Sequence, residues 1–505
     1  FMSKFYISTA IAYPNAKPHM GHALEFIQAD CISRYYQMKG EDVFFSTGTD
    51  EHGTKIEKTA KKENLSPQDL VDRNVEYFKK ICSDLEISYN SFYRTSDPML
   101  QKGAQKLWSL LESSEDIYKK EHIGLYCYGC ESYKLEKDLI DGKCPNHNKA
   151  PEKVAEENYF FRLTKYKEAI KAKIISKEIK IFPEFRIQEI LNVLDELEDV
   201  SFSRPKSVLS WGVTVPSDPS HVMYVWCDAL ANYITGLNYI ENGENFKKFW
   251  PNDLNIIGKD ITRFHAIYWP AMLMSAKLPL PKKIMVHGFV TSEGKKMSKS
   301  LGNVVDPCEI AEKYGSNALR YYLLREIPTL DDGDFSISRF IEVYNTELAN
   351  NLGNLVNRLT TMILKYVGEN MEGTLEDGLF KENLEIFSQN YHNFFTEFEI
   401  KKAIEEIIKI IDMTNKYIDD NKPWAVAKDS KEKVTQILFN LIVALHQIGI
   451  LLYPVIPSKA KVILNLIGVS ENKIKFDGNL SVNKKYTVKK GEVLFPRIEN
   501  EKNEE

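Results

Sequence analysis

The alternation at the start of the chain constrains its fold more than any other feature. Lys4 to Ile11 is short, apolar and β-branched, and it runs into Tyr13-Pro14-Asn15, the pattern of a buried strand ending in a turn. From His22 to Met38 apolar residues recur at helical spacing (Leu24, Ile27, Ile32, Tyr35, Met38). Gly40 stops that helix, and Asp42 to Thr47 forms a second buried strand. A strand–loop–helix–strand order opens a parallel α/β sheet, because a crossover helix is what joins two parallel neighbours. Such sheets bind ligands beyond the carboxyl ends of their strands. His19-Met20-Gly21-His22 stands at such a place, just before the helix.

At 505 residues the chain is too long for one core. Residues 1–114 read as the first half of the sheet domain. Residues 115–225, rich in Cys, Tyr, Lys and Glu with several turn signals, read as an insertion. Residues 226–290 return to the sheet, with strands at Leu254–Ile257 and Lys283–Val286. Residues 291–340 form a linking region with a basic loop, and 341–505 a helical domain closed by a hairpin around Gly491, within Tyr486 to Phe495. The expected fold class is α/β: a Rossmann-type doubly wound parallel sheet with an inserted knuckle, then an all-α bundle.

Several classes are excluded. A net charge of −5 argues against a protein that coats nucleic acid indiscriminately, while a specific RNA partner needs only a local basic face. The most apolar stretch, Leu438 to Pro457, is broken by Asn440, His446, Gln447 and Pro454, so it reads as a buried helix and no membrane partner is expected. No export signal precedes the first strand. Cys31, Cys82, Cys127, Cys130, Cys144, Cys227 and Cys308 are odd in number and unevenly spread, which is no disulfide framework, so the cytoplasm is the expected compartment.

Three constellations carry chemistry. Gly21 lets a phosphate approach the backbone, His19 and His22 aim ring nitrogens at its oxygens, and the helix N-terminus adds oriented N–H groups. Lys296-Met297-Ser298-Lys299-Ser300, between Gly294 and Gly302, is a basic loop whose lysines suit a polyphosphate that develops charge. Alone, each would equally fit a solvated surface. Cys127-x2-Cys130 and Cys144-x2-His147 suit a tetrahedral zinc knuckle, and four protein ligands leave no open position, so its role is structural. In the helical region, with Leu352 at 0° and 100° per residue, Leu348, Leu355, Val356, Leu359 and Ile363 fall within about 60° of it. Asn354 and Arg358 fall at about 200° and 240°, neighbours on the opposite face.

The two phosphate motifs, in this order, resemble the signatures of class I aminoacyl-tRNA synthetases. The basic loop matches residue for residue, and the first motif departs only by Met20 in place of an aliphatic residue. The stretches Ser46–Gly53, Tyr224–Tyr233, Gly258–Ile261, Arg263–Pro270 and Lys422–Ala425 narrow the resemblance to the methionyl-tRNA synthetase family. The resemblance implies that His19, His22, Lys296 and Lys299 serve catalysis, and that Gly21, Glu25, Gly258, Asp260 and Met297 bind ATP, which enters with Mg2+. It places methionine among Ile11, Ala12, Tyr13, Trp226, Ala229, Tyr233, Ile261, Phe264, His265 and Tyr268, with Tyr13 and His265 as donors to sulfur and Asp50 on the α-ammonium. An aromatic pocket suits a flexible thioether that offers one weak acceptor. Asn354, Arg358 and Trp424 would read the anticodon of initiator and elongator tRNA(Met), by base-edge hydrogen bonds and stacking. A monomer is expected. The rival readings are a class I synthetase for leucine, valine, isoleucine or cysteine, and a non-catalytic RNA-binding relative. The short insertion disfavours the first three, and a cysteine enzyme would be expected to hold zinc in its active site.

Overall fold

The computed structural model describes residues 3–499 apart from 131, 293, 297–304, 377, 477 and 479. Six strands form the central sheet: β1 (Lys4–Thr9), β2 (Asp42–Thr49), β3 (Ser91–Arg94), β4 (Lys180–Phe182), β5 (Leu254–Gly258) and β6 (Lys283–His287). Their spatial order is β3-β2-β1-β5-β6-β4, and all neighbours are parallel. Strand order reverses between β1 and β5, so the ligand crevice of a doubly wound sheet lies there.

Alternation along the strands sorts their side chains into two cores. Phe5, Ile7, Val43, Phe45, Leu254, Ile256 and Met285 join one core with α1 (Met20–Met38). Tyr6, Phe44, Ile284 and Val286 join the other. Helix α2 (Thr54–Glu63) follows β2 and packs Ile56 and Ala60 in a small core with Leu70 and Val71. Helix α3 (Val225–Thr235) is buried along its length and covers the second face.

The inserted stretch builds its own antiparallel sheet around Ile117–Cys127 and Glu152–Phe161. It is not wholly separate, because β4 lies within it and edges the central sheet through its pairing with β6. Beyond it, Val290–Ser292 pairs with Lys295–Lys296 and with Gly333–Phe335.

The helical region includes α4 (Asn354–Tyr366), entered through a π-helical stretch at Tyr344–Gly353, then α5 (Ile400–Asn421) and α6 (Lys431–Leu452). Leu348, Leu352, Leu355, Val356, Leu359 and Ile363 are buried and Asn354 is exposed, as the periodicity requires. Helix α6 is long and apolar enough to cross a membrane, but 83% of its apolar window is buried inside the protein, so it is a core helix. The bundle is keyed to the sheet domain by Arg320. This side chain and Asp30 of α1 are both 0% exposed, and Nη2 lies 2.7 Å from Oδ2. Arg320 also donates to the carbonyls of Leu85, Pro454 and Val455.

The hairpin around Gly491 does not form. Lys485–Thr487 pairs instead with the distant Asn370–Glu372, and Tyr486 is buried, its hydroxyl 3.1 Å from His446 Nδ1. Gly491 serves close packing rather than a turn, since a Cβ there would lie 2.6 Å from Leu466.

Candidate active site

His19 caps α1 with its ring. Its Nδ1 accepts from the Gly21 N–H at 3.1 Å, and the His22 Nδ1 accepts from the His19 N–H at 3.1 Å. This is a reciprocal capping box made of two imidazoles. A ring nitrogen that accepts carries no proton, so each ring holds its proton on Nε2. Both therefore offer N–H donors to an anion while neutral. Burial, reinforced by the nearby His19, His287 and Lys55, holds the His22 pKa well below its ordinary value. Met20 points into the core with no exposure, so its departure from the family pattern disturbs nothing.

One turn further along α1, Glu25 meets a residue that sequence reasoning missed. His287 ends β6 in register with Gly258, and its Nε2 lies 2.8 Å from Glu25 Oε2. Its Nδ1–H donates to the Gly288 carbonyl at 2.8 Å. Asp260 follows β5, its Oδ1 3.0 Å from where a Gly258 Cβ would stand. Glu25, Gly258, Asp260 and His287 thus converge at the carboxyl ends of β5 and β6. Burial raises the Glu25 pKa. Burial alone would lower that of His287, but the Glu25 carboxylate and the Gly288 carbonyl outweigh it and the pKa rises. Both shifts favour holding a proton at the Glu25–His287 contact. The only signal for His287 in the sequence is a polar residue closing a buried strand at its carboxyl end.

The aromatic set assembles around α3 and the segment after β5. Trp226 and Phe264 stack at 3.8 Å, and Tyr268 meets Phe264 edge-on at 5.1 Å. Phe264–Tyr268 is π-helical, a local widening common at functional sites. His265 Nδ1–H donates to the Ile261 carbonyl at 3.0 Å, so Nε2 is an acceptor, and the Tyr233 hydroxyl donates to it at 2.8 Å. Burial lowers the His265 pKa to about 4, which keeps the ring neutral. In this tautomer His265 Nε2 accepts, and the single proton of the Tyr233 hydroxyl is committed to it. Asp50 is buried, and its N–H donates to the Ala12 carbonyl at 2.9 Å, which ties the β2 end to the β1 end. Asp50 and Glu25 lie within electrostatic reach of Tyr233. Ala229 is buried, whereas Ile11, Tyr13 and Ile261 are half-buried at the margin. Lys55 of α2, not anticipated, sits 5.2 Å over the Tyr13 ring.

Of the basic loop, the backbone of Lys296 pairs with Thr291, while Met297 and Lys299 lie outside the described residues.

The ligand atoms of Cys127, Cys130, Cys144 and His147 all lie within 4.8 Å of one another. Cys130 Sγ is 3.5 Å from Cys144 Sγ and 3.4 Å from His147 Nδ1, and Cys127 Sγ is 4.0 Å from that nitrogen. A tetrahedron with Zn–S of about 2.3 Å has edges near 3.8 Å, so the donor set fits zinc in identity and size. Gly129 is required in the knuckle, since a Cβ would lie 2.5 Å from the His147 ring. Lys58 of α2 rests 3.1 Å over the Tyr128 ring and so ties the knuckle to the sheet domain.

In the bundle, Arg358 of α4 lies 5.4 Å from the Trp424 ring and donates to Asp419 of α5 at 2.6 Å. Trp424 is 40% exposed, and Asn354 is exposed one turn before Arg358. The three are gathered on one surface of the bundle.

Comparison with known proteins decides the family. The family described as tRNA synthetases class I (M) matches residues 5–153 and 133–360, and the anticodon binding domain of methionyl tRNA ligase matches 368–505. The chain belongs to the methionyl-tRNA synthetase family. Among relatives, the methionine--tRNA ligase of Caldanaerobacter subterraneus is 44% identical over 99% of this chain and 79% of its own length. That of Bacillus subtilis is 39% identical over 98% of this chain and 78% of its own. The methionyl-tRNA synthetase of Mycobacterium tuberculosis in complex with methionyl-adenylate superposes with a TM-score of 0.94 at 36% identity, covering 98% of this chain and 100% of that one. The free form of the same enzyme gives 0.87 at 34% identity, covering 99% of each chain. This member of the family therefore has a backbone arrangement nearer to the adenylate complex than to the free enzyme.

Proposed function

We propose that the chain activates L-methionine with ATP and transfers it to the 3′-terminal adenosine of tRNA(Met), initiator and elongator alike. The observation that carries this reading is the aromatic cluster of Trp226, Phe264 and Tyr268, with Tyr233 bonded to His265 and within electrostatic reach of Glu25 on the histidine-capped helix. ATP enters as its magnesium complex, with its ribose on Gly258 and Asp260, Glu25 beside it, and Gly21 giving the phosphates room. Asp50 holds the methionine α-ammonium. Ile11, Ala12, Tyr13, Ala229, Ile261 and His265 complete the walls.

In the first step a methionine carboxylate oxygen attacks the α-phosphorus, and the bond to the bridging oxygen breaks as diphosphate leaves with its electron pair. Developing negative charge meets the Nε2–H donors of His19 and His22 and the ammonium groups of Lys296 and Lys299. In the second, a ribose hydroxyl of the terminal adenosine attacks the adenylate carbonyl and AMP leaves. No covalent enzyme intermediate forms; positioning and preorganised donors carry the rate. One structural zinc sits on Cys127, Cys130, Cys144 and His147, in keeping with a reducing, cytoplasmic setting. Trp424 stacks on an anticodon base while Asn354 and Arg358 read base edges. One chain holds all of these groups, so a monomer suffices.

ATP–diphosphate exchange with a panel of amino acids tests the reading. Exchange that depends on methionine is expected. Exchange driven best by another amino acid, or none, refutes it.

A further inference from the structure

Glu25 and Asp260 place two carboxylates beside the site proposed for ATP, itself a polyanion. Two carboxylates near a bound polyanion weaken its binding, and positive charge beside them offsets that cost. Among the described residues, the group in contact with the Glu25 carboxylate that can carry positive charge is His287, at 2.8 Å. Its ring has no freedom to turn, because Nδ1–H is spent on the Gly288 carbonyl and Nε2 on Glu25. Both side chains are nearly buried, 7% and 12% exposed. The ring also lies 3.8 Å from where a Gly258 Cβ would stand, against the ribose side of the crevice.

We propose that His287 is a positioning residue for ATP: it clamps the Glu25 carboxylate through Oε2, leaves Oε1 directed to the nucleotide, and, when its ring is protonated, offsets one of the two carboxylate charges. It acts through Glu25 and touches neither methionine nor the reacting phosphorus. The inference rests on the assignment of this corner to ATP. Its distinctive consequence is a split between substrates, since loss of the clamp weakens ATP and spares methionine.

The test is methionine-dependent ATP–diphosphate exchange on the whole chain, together with methionine binding measured in the absence of ATP. For His287→Ala the KM for ATP is expected to rise about 10- to 100-fold, the range for losing a hydrogen bond to a charged group. Methionine affinity is expected to stay within about threefold, a shift too small to involve a contact of that strength. His287→Asn keeps a donor without the charge and should recover part of the loss. Glu25→Gln combined with His287→Asn should be no worse than His287→Asn alone, since the two residues act as a unit. Additive losses, or equal weakening of ATP and methionine, overturn the proposal. If His287→Ala fails to fold, the asparagine variant and the double variant still decide. Absence of exchange in the unaltered protein would instead sink the functional reading, so the two failures are distinguishable.

Discussion

Replacing Asp30 by Asn tests how the sheet domain and the bundle are joined. Asp30 Oδ2 accepts from Arg34 Nε at 2.7 Å and faces Arg320 Nη2 at 2.7 Å, while Oδ1 accepts from Ser88 N–H and O–H. Asp30→Asn removes the charge, turns one acceptor into a donor aimed at a guanidinium, and leaves Arg320 buried without a carboxylate. Breaking a buried ion pair costs about 3–5 kcal/mol. Arg320 keeps its three carbonyl acceptors, so the low end applies, about 3 kcal/mol, or on the order of a hundredfold in the folded-to-unfolded ratio. Burial would raise the Asp30 pKa, but Arg320, Arg34 and Ser88 outweigh it and hold it below the usual carboxylate value. The stabilisation is therefore present above the unfolded pKa of about 4 and is lost as the pH falls through the folded value. Urea melts followed by tryptophan fluorescence should show the same deficit for Asp30→Asn from pH 5 to pH 8, shrinking in stronger acid. Arg320→Met should cost a similar amount, and the double variant little more than either single one. A deficit below about 1 kcal/mol, or additive costs, would refute the claim that this pair joins the two units.

Trp424→Ala should lower kcat/KM for tRNA about 10- to 100-fold, the worth of one base stack, and leave methionine-dependent ATP–diphosphate exchange unchanged; a fall in both would move Trp424 from RNA contact to structure. Tyr233→Phe removes the donor to His265 Nε2, worth about 1 kcal/mol net, so the KM for methionine should rise roughly fivefold with that for ATP unmoved, read from exchange kinetics. Cys144→Ser should release zinc, measured by metal analysis. It should also raise the KM for methionine, because the knuckle bears on α2 through Lys58 and α2 bears on Tyr13 through Lys55; zinc loss with unchanged methionine kinetics would show that the knuckle acts only on itself.

What was legible in the sequence is what local periodicity and spacing encode. Strands β1 and β2 with α1 between them, the four knuckle ligands, and the inward face of α4 all follow from patterns a few residues long. The failures are of another kind. Gly491 looks like a turn, yet its missing side chain makes room for Leu466, a packing fact that no neighbouring residue announces. Strand β4 sits within the insertion, but its partner β6 is far along the chain, so only tertiary contact reveals that it edges the main sheet. His287 and Lys55 lie between familiar motifs and acquire meaning from what the fold sets beside them: Glu25 for one, Tyr13 and His22 for the other.

The four site histidines share a rule that residue type alone could not convey: the backbone sets the polarity of each ring. His19 and His22 accept main-chain N–H groups at Nδ1, which puts the proton of each neutral ring on Nε2. His265 and His287 do the reverse, donating Nδ1–H to the carbonyls of Ile261 and Gly288. One then presents an acceptor to Tyr233, and the other turns Nε2 to the Glu25 carboxyl group. Donors toward ATP therefore need no net charge on His19 or His22, and their strength should not fade as the pH rises through the usual imidazole range. Burial, which lowers its pKa to about 4, keeps the His265 ring neutral near pH 7. Methionine binding should accordingly be flat between pH 6 and pH 8; a decline of tenfold or more as the pH rises across that interval would mean that His265 acts there as a charged donor.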